Sequence, residues 1–176
     1  MTLRGKALPF GLAAALAAAA VLATEARSAN AANPGFEKMK SLVGEWEGTM
    51  SEGGRKMPVS VSYRLVSNGT ALQETLQTEG ETDMVTMYVP DGDRLAMTHY
   101  CAEGNQPRMR AAVPKGDVAR LEFRFVDGTN LPAGPDASYM SGLVVTFKDG
   151  DHFAQAWTHR MMGKDSTGLF EYSRKK

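Results

Sequence analysis

Apolar and polar residues alternate at period two along most of this chain, broken at short intervals by Gly, Asp, Asn and Pro. That pattern constrains the fold more than any other feature. In 59–65, Val59, Val61, Tyr63 and Leu65 share one face while Ser60, Ser62 and Arg64 take the other. In 118–126, Ala119, Leu121, Phe123 and Phe125 oppose Arg120, Glu122 and Arg124, and Leu143, Val145 and Phe147 alternate with Val144, Thr146 and Lys148. Successive side chains of an extended chain point to opposite faces, so such segments read as half-buried strands. Further candidates fall at 43–50, 70–77, 83–89, 94–101, 107–113, 152–161 and 167–174, giving about ten strands in all.

The connections agree. Gly53-Gly54, Ser67-Asn68-Gly69, Pro90-Asp91-Gly92-Asp93 and Asp149-Gly150 supply residues that tolerate positive φ or pre-set a turn. One stretch is longer: 127–141, rich in Gly, Pro, Asp and Asn, reads as a loop that covers a site. Ten antiparallel strands with one apolar face each must bury those faces. Two packed sheets would do so, but closing one meander on itself also removes the exposed edges. The expected class is therefore all-β: a single antiparallel barrel of about ten strands, entered through a short helix in the amphipathic stretch Phe36 to Leu42.

Residues 1–31 read as a secretory signal peptide. Arg4 and Lys6 form a basic n-region, Ala7 to Ala23 an apolar run, and Ala29-Asn30-Ala31 a small-residue cleavage site. The apolar run is short and Ala-rich for a membrane span, and no later segment is long enough to be one. The expected organisation is a signal peptide over 1–31 and a barrel domain over 32–176, in a periplasmic or secreted protein. Removing Arg4, Lys6, Arg27 and Glu25 from totals of 20 basic and 20 acidic side chains leaves 17 and 19. With no Lys/Arg cluster, that balance argues against nucleic acid as a partner. Cys101 is the one cysteine, so no intramolecular disulfide forms and the domain holds by packing alone. Nothing in the pattern specifies an oligomer.

The chain from Phe36 to Arg174 resembles the lipocalin-like (calycin) barrels, and more closely a set of uncharacterised secreted bacterial proteins of that fold. The residues that carry the resemblance are Gly44-Glu45-Trp46, Thr98-His99-Tyr100-Cys101, Gly104-Asn105-Gln106-Pro107-Arg108-Met109, Thr129-Asn130-Leu131 and Asp151-His152-Phe153 with Trp157. The resemblance implies that Trp46 plugs one end of the barrel beside the small Gly44, and that Arg174 from the last strand lies across its ring as a cation–π partner. It transfers no activity, since a barrel of this outline hosts many ligands.

No nucleophile elbow, zinc-protease helix, phosphate loop or Cys-x-x-Cys is present. The informative residues are polar ones on apolar strand faces. Glu74 sits between Leu72 and Leu76; His99 and Cys101 continue the face of Leu95 and Met97; Gln155 and His159 share the face of Phe153 and Trp157. If these faces point inward, they place polar groups inside an apolar cavity, as a ligand site requires. The plain alternative for His99 is a core histidine bonded to a neighbour, and for His159 a solvated rim position. Asn105 and Arg108, in a connection dense with hydrogen-bonding groups, are candidates for the mouth of the cavity. The ten methionines after Met1 scatter without a Met-x-x-Met repeat, which argues for adaptable packing rather than copper binding. The expected function is non-catalytic binding of a small, largely apolar molecule, with ligand-binding residues His99, His159, Glu74, Gln155, Cys101, Asn105 and Arg108 and no metal. Two alternatives stay open: non-covalent haem held by His99 or His159, and an enzyme with Glu74 or His99 as general base.

Overall fold

The computed structural model describes residues 33–176; the expected signal peptide over 1–31 lies outside the described residues. The described chain opens with helix α1 (Pro34–Lys40). Asn33 caps it by accepting the Phe36 N–H at 2.9 Å, and Pro34 occupies the first turn, where no donor is needed. The Asn33 amide also donates to the carbonyls of Gly92 and Arg94, at 3.0 and 2.8 Å. These bonds fix α1 against a strand turn, and its buried Phe36 and Met39 join the core.

Ten strands follow: β1 (Gly44–Glu52), β2 (Arg55–Val66), β3 (Ala71–Thr78), β4 (Met84–Asp91), β5 (Arg94–Tyr100), β6 (Gln106–Ala112), β7 (Arg120–Thr129), β8 (Ser138–Phe147), β9 (His152–Met161) and β10 (Lys164–Arg174). Each pairs antiparallel with the next, and β10 pairs with β1, closing the barrel without a crossover. The expected all-β fold, a closed antiparallel barrel with one short helix, is observed. Closure leaves no strand edge unpaired. Along each strand the inward residues are the apolar set read from the alternation, among them Val61, Leu72, Tyr88, Leu95, Met109, Phe123, Val145, Phe153 and Tyr172. One barrel end meets α1. The other carries the β1–β2, β3–β4, β5–β6, β7–β8 and β9–β10 connections. Among the described residues, no helix is long and apolar enough to cross a membrane.

Several details depart from the sequence reading. The long loop expected over 127–141 is shorter at both ends: β7 runs to Thr129 and β8 begins at Ser138, so the connection spans only 130–137. Register shifts between Arg108 and Met109 and between Met140 and Gly142 absorb residues that break the alternation. Val118 rather than Ala119 is buried before β7. Leu65 keeps its place in the alternation but is exposed, because it lies one residue from the end of β2, where the barrel no longer covers it.

Candidate functional site

The interior has three levels: a plug beside α1, a polar layer in the middle and an open mouth. At the plug, the Trp46 indole N–H donates to the Leu42 carbonyl at 2.7 Å, and Phe153 meets the ring edge-on at 4.8 Å. Arg174 lies over the same ring, 4.0 Å from its centroid, and donates to the carbonyls of Ser41, Val43 and Gly150. Gly44, at φ +127°, makes room for it: a Cβ there would stand 3.1 Å from the guanidinium.

Above the plug lies the polar layer. Strand register puts Tyr63, Glu74, Thr86 and His99 side by side on β2 to β5. The Tyr63 and Tyr88 hydroxyls donate to Glu74 Oε2 at 2.6 and 2.8 Å, and the Gln155 amide donates to the same oxygen at 2.8 Å. Gln155 also donates to the Tyr63 hydroxyl at 2.9 Å and accepts the Trp157 indole N–H at 3.3 Å. Three donors favour the carboxylate, yet burial outweighs them and holds the Glu74 carboxyl above its ordinary range. Burial likewise pushes the Tyr63 and Tyr88 hydroxyls well above the usual tyrosine range. His99 bonds Thr86 through Nδ1 at 2.9 Å and lies 4.7 Å from the Trp157 ring, while its Nε2 is buried without a partner. Burial alone pushes its pKa down to about 4, so the ring is neutral at physiological pH.

The mouth holds a half-open cavity of about 200 Å³. Its apolar wall comes from Met50, Met57, Met84, Met140, Trp157 and Phe170, and its polar fringe includes Glu52, Glu81 and His159. Gly168 on β10 opens one side; a Cβ there would stand 3.3 Å from Phe170. Trp157 faces both ways, lining the cavity while its ring and indole N–H hold His99 and Gln155 in the layer below.

The residues singled out from sequence divide accordingly. His159 lines the cavity, and its Nε2 bonds Ser138 Oγ at 2.9 Å and Glu103 Oε1 at 3.1 Å. This Ser–His–Glu cluster is not a nucleophilic triad, because serine and carboxylate meet the same ring nitrogen instead of opposite ones. It ties the β5–β6 connection to β8 and β9 at the rim. Asn105 is buried beside it, donating to the Ser138 carbonyl at 2.9 Å, with its Oδ1 unpartnered. Glu74, Gln155 and His99 point into the barrel but do not line the cavity. Cys101, half-buried at the start of the β5–β6 connection, does not line it either; burial raises its thiol pKa, which disfavours the reactive thiolate. Arg108 is a correction: it lies on the outer wall, paired with Asp127 across β6 and β7, because the alternation of β6 turns it away from the buried Pro107 and Met109. Sequence reasoning missed Met50, Met57, Met84, Met140 and Phe170 as wall residues. The signal was available in part, since Met50 lies four residues beyond Trp46 on the same strand face.

No protein-family model and no curated protein matches the chain. Solved structures similar in outline include a redesigned beta barrel, 11% identical with a TM-score of 0.41, covering 78% of this chain and 94% of its own. Another is a DUF3598-family protein of unknown function from Nostoc punctiforme PCC 73102, 12% identical with a TM-score of 0.45, covering 78% of this chain and 48% of its own. A third, EF1p2_mFAP2b bound to DFHBI, is 10% identical with a TM-score of 0.41 and covers 78% of this chain and 96% of its own.

Proposed function

We propose that this protein binds a small, largely apolar molecule in the mouth of its barrel, without chemical turnover. The observation that carries this reading is the cavity walled by Met50, Met57, Met84, Met140, Trp157 and Phe170, with His159 as a polar contact at its fringe. An apolar wall with few polar groups is the usual make-up of a small-molecule site, and flexible thioethers suit varied ligand shapes. At about 200 Å³ the cavity suits a molecule nearer benzene than a drug in size. On this reading the protein is an exported lipocalin-like carrier. The n-region at Arg4 and Lys6, the apolar run after it and the Gly44-x-Trp46 start support that placement, and the balanced charge speaks against nucleic acid as a partner.

The alternatives have less support. A general base must come within hydrogen-bond reach of its substrate, and neither Glu74 nor His99 lines the cavity. A haem ligand has one observation in its favour, the free Nε2 of His99 behind a Thr86-bound Nδ1. However, Trp157 closes the cavity above His99, and a tetrapyrrole needs more room than the mouth provides. Native mass spectrometry of protein purified from its own host, alongside thermal shift with toluene, tests the proposal. A retained small molecule or a toluene-dependent rise in Tm supports it; bare protein with no shift refutes it.

A further inference from the structure

We infer that the barrel mouth is also a binding site for a soft monovalent metal ion of the Cu(I) type, held by methionine thioethers and His159. Four methionines meet at this one cavity: Met50 and Met57 from the β1–β2 hairpin, Met84 from β4 and Met140 from β8. Met50 stands directly opposite Met57 across β1 and β2, and Met140 directly opposite His159 across β8 and β9. Side chains opposed in this way are cross-strand neighbours, and each methionine has three rotatable bonds with which to aim its sulfur. Met84 completes the set from β4.

Core packing is only part of this arrangement, since Met50, Met84 and Met140 pack against the core while also facing the cavity. The methionines that pack the core, Met39, Met97 and Met109, are between 0% and 2% exposed. Met50, Met57, Met84 and Met140 are only half-buried around open volume. Thioethers are neutral, soft donors that select Cu(I) over hard cations such as magnesium and calcium. Among the described residues, no group of three or more His, Cys, Asp or Glu side chains is placed to hold a metal, so the soft donors dominate the chemistry available here. His159 adds a donor of the right kind. Ser138 and Glu103 hold its Nε2, which leaves Nδ1 as the coordinating nitrogen, oriented by the carboxylate–imidazole contact common behind metal-bound histidines. Glu52 and Glu81 at the same cavity add negative charge that favours a cation over an anion. Binding is ligand exchange alone, with no change in oxidation state. The inference shares the cavity with the carrier reading but does not rest on it, and the two kinds of ligand should compete.

The test uses the full-length protein with Cys101→Ser, so that the thiol is not the donor. Cu(I), kept reduced with ascorbate, is supplied as its bicinchoninate complex, and loss of the complex's absorbance reports transfer to protein. Transfer at one ion per chain is expected. It should weaken more than about tenfold when Met50 and Met57 are both replaced by Leu, and again in Met140→Leu as a second variant. Leu keeps the wall apolar, so the toluene-dependent Tm shift should survive in both. Ag(I) should bind at the same stoichiometry in native mass spectra. No transfer from the chelator, or equal transfer to wild type and both variants, overturns the inference. Loss of toluene binding in the wild type would overturn only the carrier reading.

Discussion

The guanidinium of Arg174 lies 4.0 Å from the centre of the Trp46 ring and donates to the carbonyls of Ser41 and Val43 just beyond α1. One side chain of the last strand thus closes the first strand and the exit from the helix together. Arg174→Ala should lower stability by about 2 kcal/mol, from the lost cation–π contact and the unfilled carbonyls. Arg174→Lys should recover only part of this, since an ammonium cannot cover the ring and fork to several acceptors. Urea midpoints and Trp emission check it; an Ala variant as stable as wild type would refute the closure role.

His99 should make the protein acid-sensitive. Its folded-state pKa is about 4 against an ordinary 6.5, because burial penalises the charged ring. Above 6.5 neither state holds the proton. Between 6.5 and about 4 only the unfolded chain takes it, so stability falls as pH falls, by roughly 3 kcal/mol across that window. His99→Phe should flatten this decline relative to wild type. A difference between the two proteins that does not vary with pH would show that His99 is not buried neutral.

Glu74 should act with the opposite sign. Its folded pKa lies above 4.5, so as pH rises past 4.5 the unfolded chain releases a proton that the folded state retains, and stability is lost. Glu74→Gln keeps an oxygen acceptor for Tyr63, Tyr88 and Gln155 and removes the titration. The variant should gain on wild type as pH rises from 4.5 toward neutrality. A gap between their urea midpoints that stays constant with pH would mean the carboxyl is ionised in the fold.

Gly168→Val should empty the site of ligand without harming the fold. The new side chain stands in the cavity beside Phe170, while a β-branched residue suits a strand, where glycine is weak by up to about 1 kcal/mol. Loss of the toluene shift with an unchanged or raised Tm is expected. Undiminished toluene binding would place the ligand elsewhere.

The barrel was legible because alternation survives along nearly every strand, and the meander with its Gly- and Asp-rich turns left closure as the economical solution. The Trp46–Arg174 contact was legible through family resemblance, as both ends of that pattern stand in the sequence. The extent of β7 and β8 was not, because Gly128, Ser141 and Gly142 break the alternation and two register shifts hide the pairing. The site was legible only in part. Glu74, His99 and Gln155 were placed on inward faces, but depth along the barrel axis is not encoded in period two, so the polar layer could not be told from the mouth. The methionine wall was invisible for a related reason. Met50 and Met57 face each other across the β1–β2 hairpin, but Met84 on β4 and Met140 on β8 join them only when the sheet closes into a barrel.

The most direct test of the central claim is methyl NMR of protein labelled at methionine, titrated with toluene. Met50, Met57, Met84 and Met140 line the cavity, whereas Met39, Met97 and Met109 are sealed in the core and Met161 and Met162 are exposed. Saturable shifts confined to the four cavity methyls are the predicted result. Saturation with those four unmoved, or shifts confined to Met161 and Met162, would contradict a ligand site in the mouth of this barrel.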